Sequence, residues 1–318
     1  MQCYLLLKVR TGNTTAVKTF DECLGFVFEK ELYVPYTRFS GVFYKDGLPE
    51  ISAEDVVNVA VKIDTTEIHL GMPDEITIER MGKDHRIRVK SRGYTLLLAQ
   101  NEPYPRINSN VTLKSLCQAN LSCQYIGYED PTPTVGNIYV NEGSTVWEAA
   151  IAYCIKASGY FPFIKGKNLV RMTLGTQRTV DYSGAVILSQ TDSMDSRYLL
   201  SDVYMKELGD TYPYEAHDPS AAYMGIVRCR YYPLDMQWLY DPQAGLQHKL
   251  DYSNKGVRKA GIKYMGWLGE DIMDKAAGVS ILAGKNINYV KIEGNRKGIF
   301  TTVMCYDDRY GQKEVQIC

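Results

Sequence analysis

The stretch Gly143-Ser144-Thr145-Val146-Trp147-Glu148-Ala149-Ala150-Ile151-Ala152-Tyr153-Cys154 constrains the fold more than any other part of this 318-residue chain. Ser144 or Thr145 is placed to cap a first helical turn, and Thr145 with Glu148 has the spacing of a capping box. Val146, Ala149, Ala150, Tyr153, Cys154 and Ala157 recur at i, i+3, i+4, i+7, i+8 and i+11, one face of a 3.6-residue period. Gly159 supplies the C-terminal stop. Tyr160-Phe161-Pro162-Phe163-Ile164, the polar turn Lys165-Gly166-Lys167-Asn168 and Leu169-Val170-Arg171-Met172 follow. The spacing therefore predicts a helix and then a β-hairpin. Trp147, at the edge of the apolar face, is expected to pack against that hairpin, since large aromatics serve mostly in cores and interfaces. Nothing in this unit carries catalytic chemistry.

Most of the remaining chain reads as strands. Residues 4–9, 33–44 and 55–63 are rich in apolar, β-branched and aromatic side chains. Residues 75–80 and 85–90 alternate, Ile76/Ile78 and Ile87/Val89 on one face, across a turn at 81–84, which predicts a hairpin. Residues 1–100 are therefore expected to form an N-terminal β-barrel-like domain. Residues 101–175 read as an α+β insertion. A polar link with Pro103 and Pro105 leads to a helix over 111–119, with Leu113, Leu116, Cys117 and Leu121 inward. Short strands at 125–128 and 137–140 flank Pro131 and Pro133, and the helix and hairpin above close the unit. Residues 176–318 predict a second β-barrel-like domain with one or two helices. Strands are expected at 180–187, 198–208 and 223–232, with an exposed loop at 209–222. A helix is expected from Asp241-Pro242 to about Asn254, with a thin face of Leu246 and Leu250. A second helix over 270–281 would turn Ile272, Met273, Ala276, Ala277 and Ile281 inward. A terminal meander is expected at 287–292, 300–306 and 313–317. The length exceeds what one core usually organises, and the fold class is α+β, mainly β. There is no internal repeat of fixed period.

Composition narrows the function classes. Apolar residues make up 45% and charged residues 23%, so the chain is globular rather than disordered. With 36 basic and 37 acidic residues the net charge is −1, which argues against nucleic-acid binding driven by bulk charge; a local basic patch stays open. Tyrosine is the outlier, 25 residues against 8 Phe and 3 Trp, which suits half-buried strands and equally suits large protein contacts. The eight cysteines form no C-x-x-C pair and read as reduced, mostly buried thiols. The amino terminus predicts no signal peptide, no apolar run of about 18 residues predicts a membrane span, and the sequons at Asn13, Asn110 and Asn120 carry little weight.

A search for chemistry finds no G-x-S-x-G, H-E-x-x-H or Walker A motif. Residues 278–286 resemble a phosphate loop, but the spacing is one residue too long and Asn286 replaces the magnesium-binding Ser or Thr. His69, His85, His217 and His248 lack the spacing of a helical metal pair, and only tertiary clustering could bring them together. His85 reads as a surface residue. Asp307-Asp308 reads as turn chemistry. The basic series Arg80, Lys83, Arg86, Arg88, Lys90 and Arg92 reads as a solvated hairpin face or an intersubunit contact. The sequence thus predicts no catalytic, cofactor-binding or metal-binding residue, and no cofactor.

The order of the central elements is more telling. Arg88-Val89-Lys90-Ser91-Arg92-Gly93-Tyr94 is followed by the helix start Val111-Thr112-Leu113-Lys114-Ser115-Leu116. Then come Gly143-Ser144-Thr145-Val146-Trp147-Glu148, the Gly159 stop and the hairpin Gly166-Lys167-Asn168-Leu169-Val170. This resembles the central part of the tail hub proteins of bacteriophages and phage-tail-like bacteriocins, the late control gene D and prophage baseplate hub group. The strong part covers about residues 85–175, and the flanking β-regions agree in kind and order. The resemblance implies a structural, non-enzymatic subunit. It implies a homotrimeric ring of two barrels per subunit at the tail tip, joining the tail tube protein to the central spike protein beside other baseplate proteins. It places the protein in a virion or tail-like particle made in the host bacterial cytoplasm, with no sequence-specific nucleic acid and no membrane insertion. The chain is short for the group and carries no recognisable lysozyme-like or peptidase segment. Two other classes stay open: a β-rich carbohydrate-binding or glycan-degrading tail-associated protein, with aromatics and carboxylates lining one cleft, and an OB-like nucleic-acid binder.

Overall fold

The computed structural model describes residues 1–46, 51–81 and 84–307. Before Tyr94 the described strands are β1 (Cys3–Thr11), β2 (Thr14–Phe20), β3 (Glu22–Glu31), β4 (Arg38–Asp46), β5 (Val56–Ile63), β6 (Thr66–Met81) and β7 (Asp84–Gly93). Alternation sets them. Cys3, Leu5, Leu7 and Val9 of β1 are buried and the residues between them are not, the period-2 signature of a strand with one face on the core. β6 and β7 form the predicted hairpin, with Ile76 opposite Val89 and Ile78 opposite Ile87. Pro73, which has no N–H to donate, sits at a register shift of β6, where a strand tolerates it. Pairing is antiparallel throughout, in the order β3-β4-β7-β6-β5-β1-β2. β1 approaches β3 and β2 approaches β4, and Leu5, Phe20, Phe28 and Phe43 of these four strands share one core.

The insertion follows its local signals. It contains α1 (Leu96–Gln100), β8 (Arg106–Val111), α2 (Leu113–Gln118), β9 (Gly127–Tyr128), β10 (Val135–Val140), α3 (Val146–Ser158), β11 (Phe163–Lys165) and β12 (Leu169–Arg171). The α3 capping box is complete: the Thr145 N–H donates to Glu148 Oε2 at 2.7 Å, and the Glu148 N–H donates to Thr145 Oγ1 at 3.1 Å. Thr112 and Ser115 start α2 in the same way. Gly159 ends α3 with φ +75°, a left-handed conformation that costs glycine little. Val146, Ala149, Ala150, Tyr153 and Cys154 are buried with Leu113, Leu116, Cys117 and Ile138 in a core of their own. Trp147 is buried and meets Phe161, just before β11, edge to face at 6.3 Å. The α1 helix was not foreseen.

The C-terminal region adds β13 (Thr179–Asp181), β14 (Val186–Met194), β15 (Asp202–Met205), β16 (Tyr214–His217), α4 (Pro219–Tyr223), β17 (Cys229–Tyr232), α5 (Pro242–Ser253), β18 (Arg258–Met265), β19 (Lys275–Ala277), β20 (Tyr289–Asn295) and β21 (Gly298–Tyr306). The helix expected after Asp241 is α5, and Leu246 and Leu250 are its buried face. The run expected at 180–187 is two strands, parted by a turn in which the Ala185 N–H donates to the Tyr182 carbonyl. The exposed loop expected at 209–222 instead holds β16 and opens α4, capped by Asp218. The strand expected at 223–232 is confined to β17, because Gly225 turns the chain at φ +67°. The last expected strand, 313–317, and Asp308 lie outside the described residues.

The helix expected over 270–281 does not form. Ile272, Met273 and Ala276 are buried as foreseen, but the segment is a turn followed by β19, which pairs in parallel with β13. Two carboxylates explain this. Asp271 Oδ2 accepts from the Gly166 N–H at 2.7 Å, and its other oxygen accepts from Lys30. Asp274 accepts from Lys165 Nζ at 2.6 Å and from the Asp271 N–H at 2.9 Å. Met273 takes φ +66°, outside helical geometry. Side-chain partners far away in sequence outcompete the helical pattern.

The two β-regions are not separate sheets. β20 pairs with β3 from Tyr289–Glu31 to Gly294–Phe26. The result is one eleven-stranded sheet, β14-β18-β21-β20-β3-β4-β7-β6-β5-β1-β2. One core runs beneath it, with Leu5, Leu7, Phe20 and Phe43 from the first region and Tyr264, Ile292, Val303 and Cys305 from the second. Among the described residues its end strands, β14 and β2, do not pair with each other, so the sheet is mainly β and barrel-like but not closed by hydrogen bonds.

Candidate interaction surfaces

The residues weighed for chemistry are dispersed. His69 is fully buried between Thr37 Oγ1 and Ser91 Oγ, each 2.8 Å away, and burial pushes its pKa down to about 3, so it is a neutral core residue. His85 is half-buried on β7 rather than at the surface. His217 Nδ1 meets Asp202 Oδ1 at 2.5 Å on the outer small sheet, and that hydrogen bond raises its pKa. His248 lies on α5 between Trp238 and Tyr252. Among the described residues no group of three or more His, Cys, Asp or Glu could hold a metal ion. Cys3, Cys117, Cys154 and Cys305 are buried free thiols, and Cys229 is exposed.

Three residues of the basic hairpin face meet carboxylates on the neighbouring strand, and Lys83 lies outside the described residues. Arg88 meets Glu79 at 2.9 Å, Lys90 meets Glu75 at 2.7 Å and Arg92 meets Asp74 at 2.9 Å. These exposed pairs are a solvated face and contribute at most about 1 kcal/mol each. Residues 278–286 turn back on β19, with the Gly284 N–H donating to the Ala276 carbonyl at 2.9 Å, and no helix follows for a phosphate to sit on. A Cβ at Gly278 would lie 2.1 Å from Asp181 Oδ1, so that glycine serves a close approach between two segments.

Two kinds of exposed apolar surface stand out. The first is the free edge of the large sheet. β14 pairs only with β18 among described strands, its residues are nearly all exposed, and Val186, Leu188 and Met194 are each more than half accessible. The opposite edge, β2, pairs only with β1 and is likewise exposed, with Val17 60% accessible. An unpaired edge presents a row of backbone donors and acceptors to another strand. The second is the outer sheet β16-β15-β17. Its register places His217, Asp202 and Cys229 in one cross-strand row and Glu215, Tyr204 and Tyr231 in another two residues along, on the same face. Tyr204 and Tyr231 stack at 5.0 Å. Tyr198, Tyr223 and Tyr240 are each at least 74% accessible nearby in sequence. The tyrosine excess is therefore spent both on cores and on exposed surface. Neither edge was marked in the sequence: what leaves a strand unpaired is the placement of others.

No protein-family model matches the chain, and no curated protein sequence matches it significantly. Solved structures do. The 43 kDa tail protein of prophage MuSo2 from Shewanella oneidensis superposes with a TM-score of 0.67 at 13% identity, covering 96% of this chain and 98% of that one. The tail protein from Neisseria meningitidis MC58 gives 0.67 at 15% identity, over 96% and 97%. The E. coli c3393 protein, a component of the type VI secretion system with structural similarity to T4 bacteriophage tail proteins gp27 and gp5, gives 0.54 at 12% identity, over 93% and 77%. Identities this low establish a shared fold, and from end to end this chain has the fold of the prophage tail proteins.

Proposed function

We propose that this chain is a structural subunit of the tail tip or baseplate of a phage tail or phage-tail-like particle. In this reading three copies form a hub ring that joins the tail tube to the central spike, and the protein catalyses nothing. The observation that carries it is the end-to-end coincidence with prophage tail proteins in both directions. The two free sheet edges support it, because the ends of a heterologous, head-to-tail interface differ and such interfaces close into rings when the rotation allows. In this reading residues 1–100 and 176–318, whose strands share one sheet, would each supply a barrel-like part to the ring, and residues 101–175 would be the insertion between them. The partners are then other copies, tube, spike and neighbouring baseplate proteins, and the location is the particle, after synthesis in the host bacterial cytoplasm.

Light scattering of the purified chain tests the ring. The expected mass is that of three chains. A chain that stays monomeric at high concentration, with and without its neighbouring tail proteins, sinks the hub reading.

A further inference from the structure

The large sheet ends on two unlike edges, and both leave part of its core face open. Residues directly opposite each other in an antiparallel pair point to the same face. Ala16 and Lys18 of β2 stand opposite Val9 and Leu7, and Gln190 and Asp192 of β14 stand opposite Ile262 and Ala260. Val9, Leu7, Ile262 and Ala260 all belong to the one core, so the four edge residues lie on the core face. Yet Ala16, Gln190 and Asp192 are exposed, and Lys18 is only half-buried. The core face is thus uncovered at each end of the sheet, beside a row of backbone groups with no strand next to it among the described residues.

Each edge carries one charge on that face, Lys18 on β2 and Asp192 on β14. Among the described residues neither side chain has an ion pair. A charge on the core face of an edge strand works against pairing with the wrong strand. Two β14 edges side by side add acid to acid, two β2 edges add base to base, and either join closes after two copies. β14 beside β2 pairs the charges and leaves a free edge at each end, so the join repeats from copy to copy.

The sheet also fixes the direction of that join. Its eleven strands are linked by ten antiparallel pairings, so β14 and β2 run the same way. A second copy whose core face continues the first then brings its β2 alongside β14 in parallel. With Asp192 level with Lys18, Gln190 falls beside Ala16 on the core face and Thr191 beside Val17 on the other. All seven residues of β2 then run along residues 188–194.

We propose that in the hub ring β14 of one copy continues in parallel onto β2 of the next, with Asp192 beside Lys18 on the shared core face. This rests on the ring reading above and adds to it the strands that meet and the charge pair that selects them. The join also covers Leu188, Met194 and Val17, each more than half accessible in the single chain.

A charge swap tests it, read by light scattering of the full chain over a concentration series, alone and with its neighbouring tail proteins. Asp192→Lys and Lys18→Asp each place like charges together, and each should raise the concentration at which rings form by roughly tenfold or more. The double substitution restores an opposite pair and should return the wild-type concentration, a recovery that separates lost pairing from lost folding. Rings that form equally well in both single variants, or a loss that the double variant does not recover, overturn the strand pairing and leave the ring reading in place. A wild-type chain that stays a single copy under every condition overturns both.

Discussion

The α3 helix and the 270–281 segment share an apolar period of helical type, yet only one is a helix. α3 has a reciprocal cap at Thr145 and Glu148, a left-handed glycine at its end and a face that fits one core. The 270–281 segment has only half of such a box, Asp274 accepting from the Asp271 N–H, and both carboxylates are also engaged from outside. Lys30 on β3 and Lys165 on β11 reach Asp271 and Asp274 across gaps of 241 and 109 residues. Periodicity alone therefore says which side chains go inward. Whether the backbone between them is helical depends on terminal signals and on what the neighbouring polar groups are offered.

The contrast can be broken experimentally, and the largest effect should come from the shared feature, burial. Trp147→Ala should cost about 4 kcal/mol, as for other buried aromatics, read from the urea midpoint at constant slope. A loss below about 1 kcal/mol would mean that Trp147 does not anchor α3 to the hairpin.

Lys30→Met comes next. Lys30 is 4% exposed and donates to the Gly166 carbonyl at 2.6 Å as well as to Asp271. Removing one partner of a buried pair should destabilise by roughly 3 kcal/mol. Amide exchange should rise around 271–276 and around Gly166, and little in α3. The pH dependence sharpens this. Burial would raise the Asp271 carboxyl, but Lys30 and Lys165 outweigh it and hold it below the usual range. A depressed folded-state pKa means stability present above the unfolded carboxylate value, about 4, and lost as pH falls through the folded one. Wild type should thus lose more stability between pH 5 and pH 2 than Lys30→Met does. Equal acid losses would show that the pair does not fix this segment.

The smallest effect should come from the local signal. Thr145→Ala removes one cap acceptor and should cost about 1 kcal/mol, with exchange rising only in the first turn of α3. A cost matching that of Lys30→Met would erase the distinction between a locally and a remotely specified segment.

Much of the fold was legible because it is written in short-range chemistry. The β6–β7 hairpin, α2, α3 and the hairpin after Gly159 each have a period and a start or stop within their own residues, and each formed. β2 and β3 were passed over, although Gly12 at φ +58° marks the turn before β2; their alternation is blurred by charged and exposed residues. The interaction surfaces were less legible still. Gln237 meets Tyr139 across 98 residues, and nothing near either position announces the contact.

The sequence by itself determined the mainly β character, the compact insertion and the order of elements that points to phage tails. Only the tertiary structure decided that β3 takes β20 as its second neighbour, merging two β-regions into one sheet, and that β14 and β2 are left as its edges. The physical reason is that helical periods, caps and turns are satisfied within a few residues. A strand's hydrogen bonds are satisfied by whichever partner the packed core brings alongside, and that choice has no local signature.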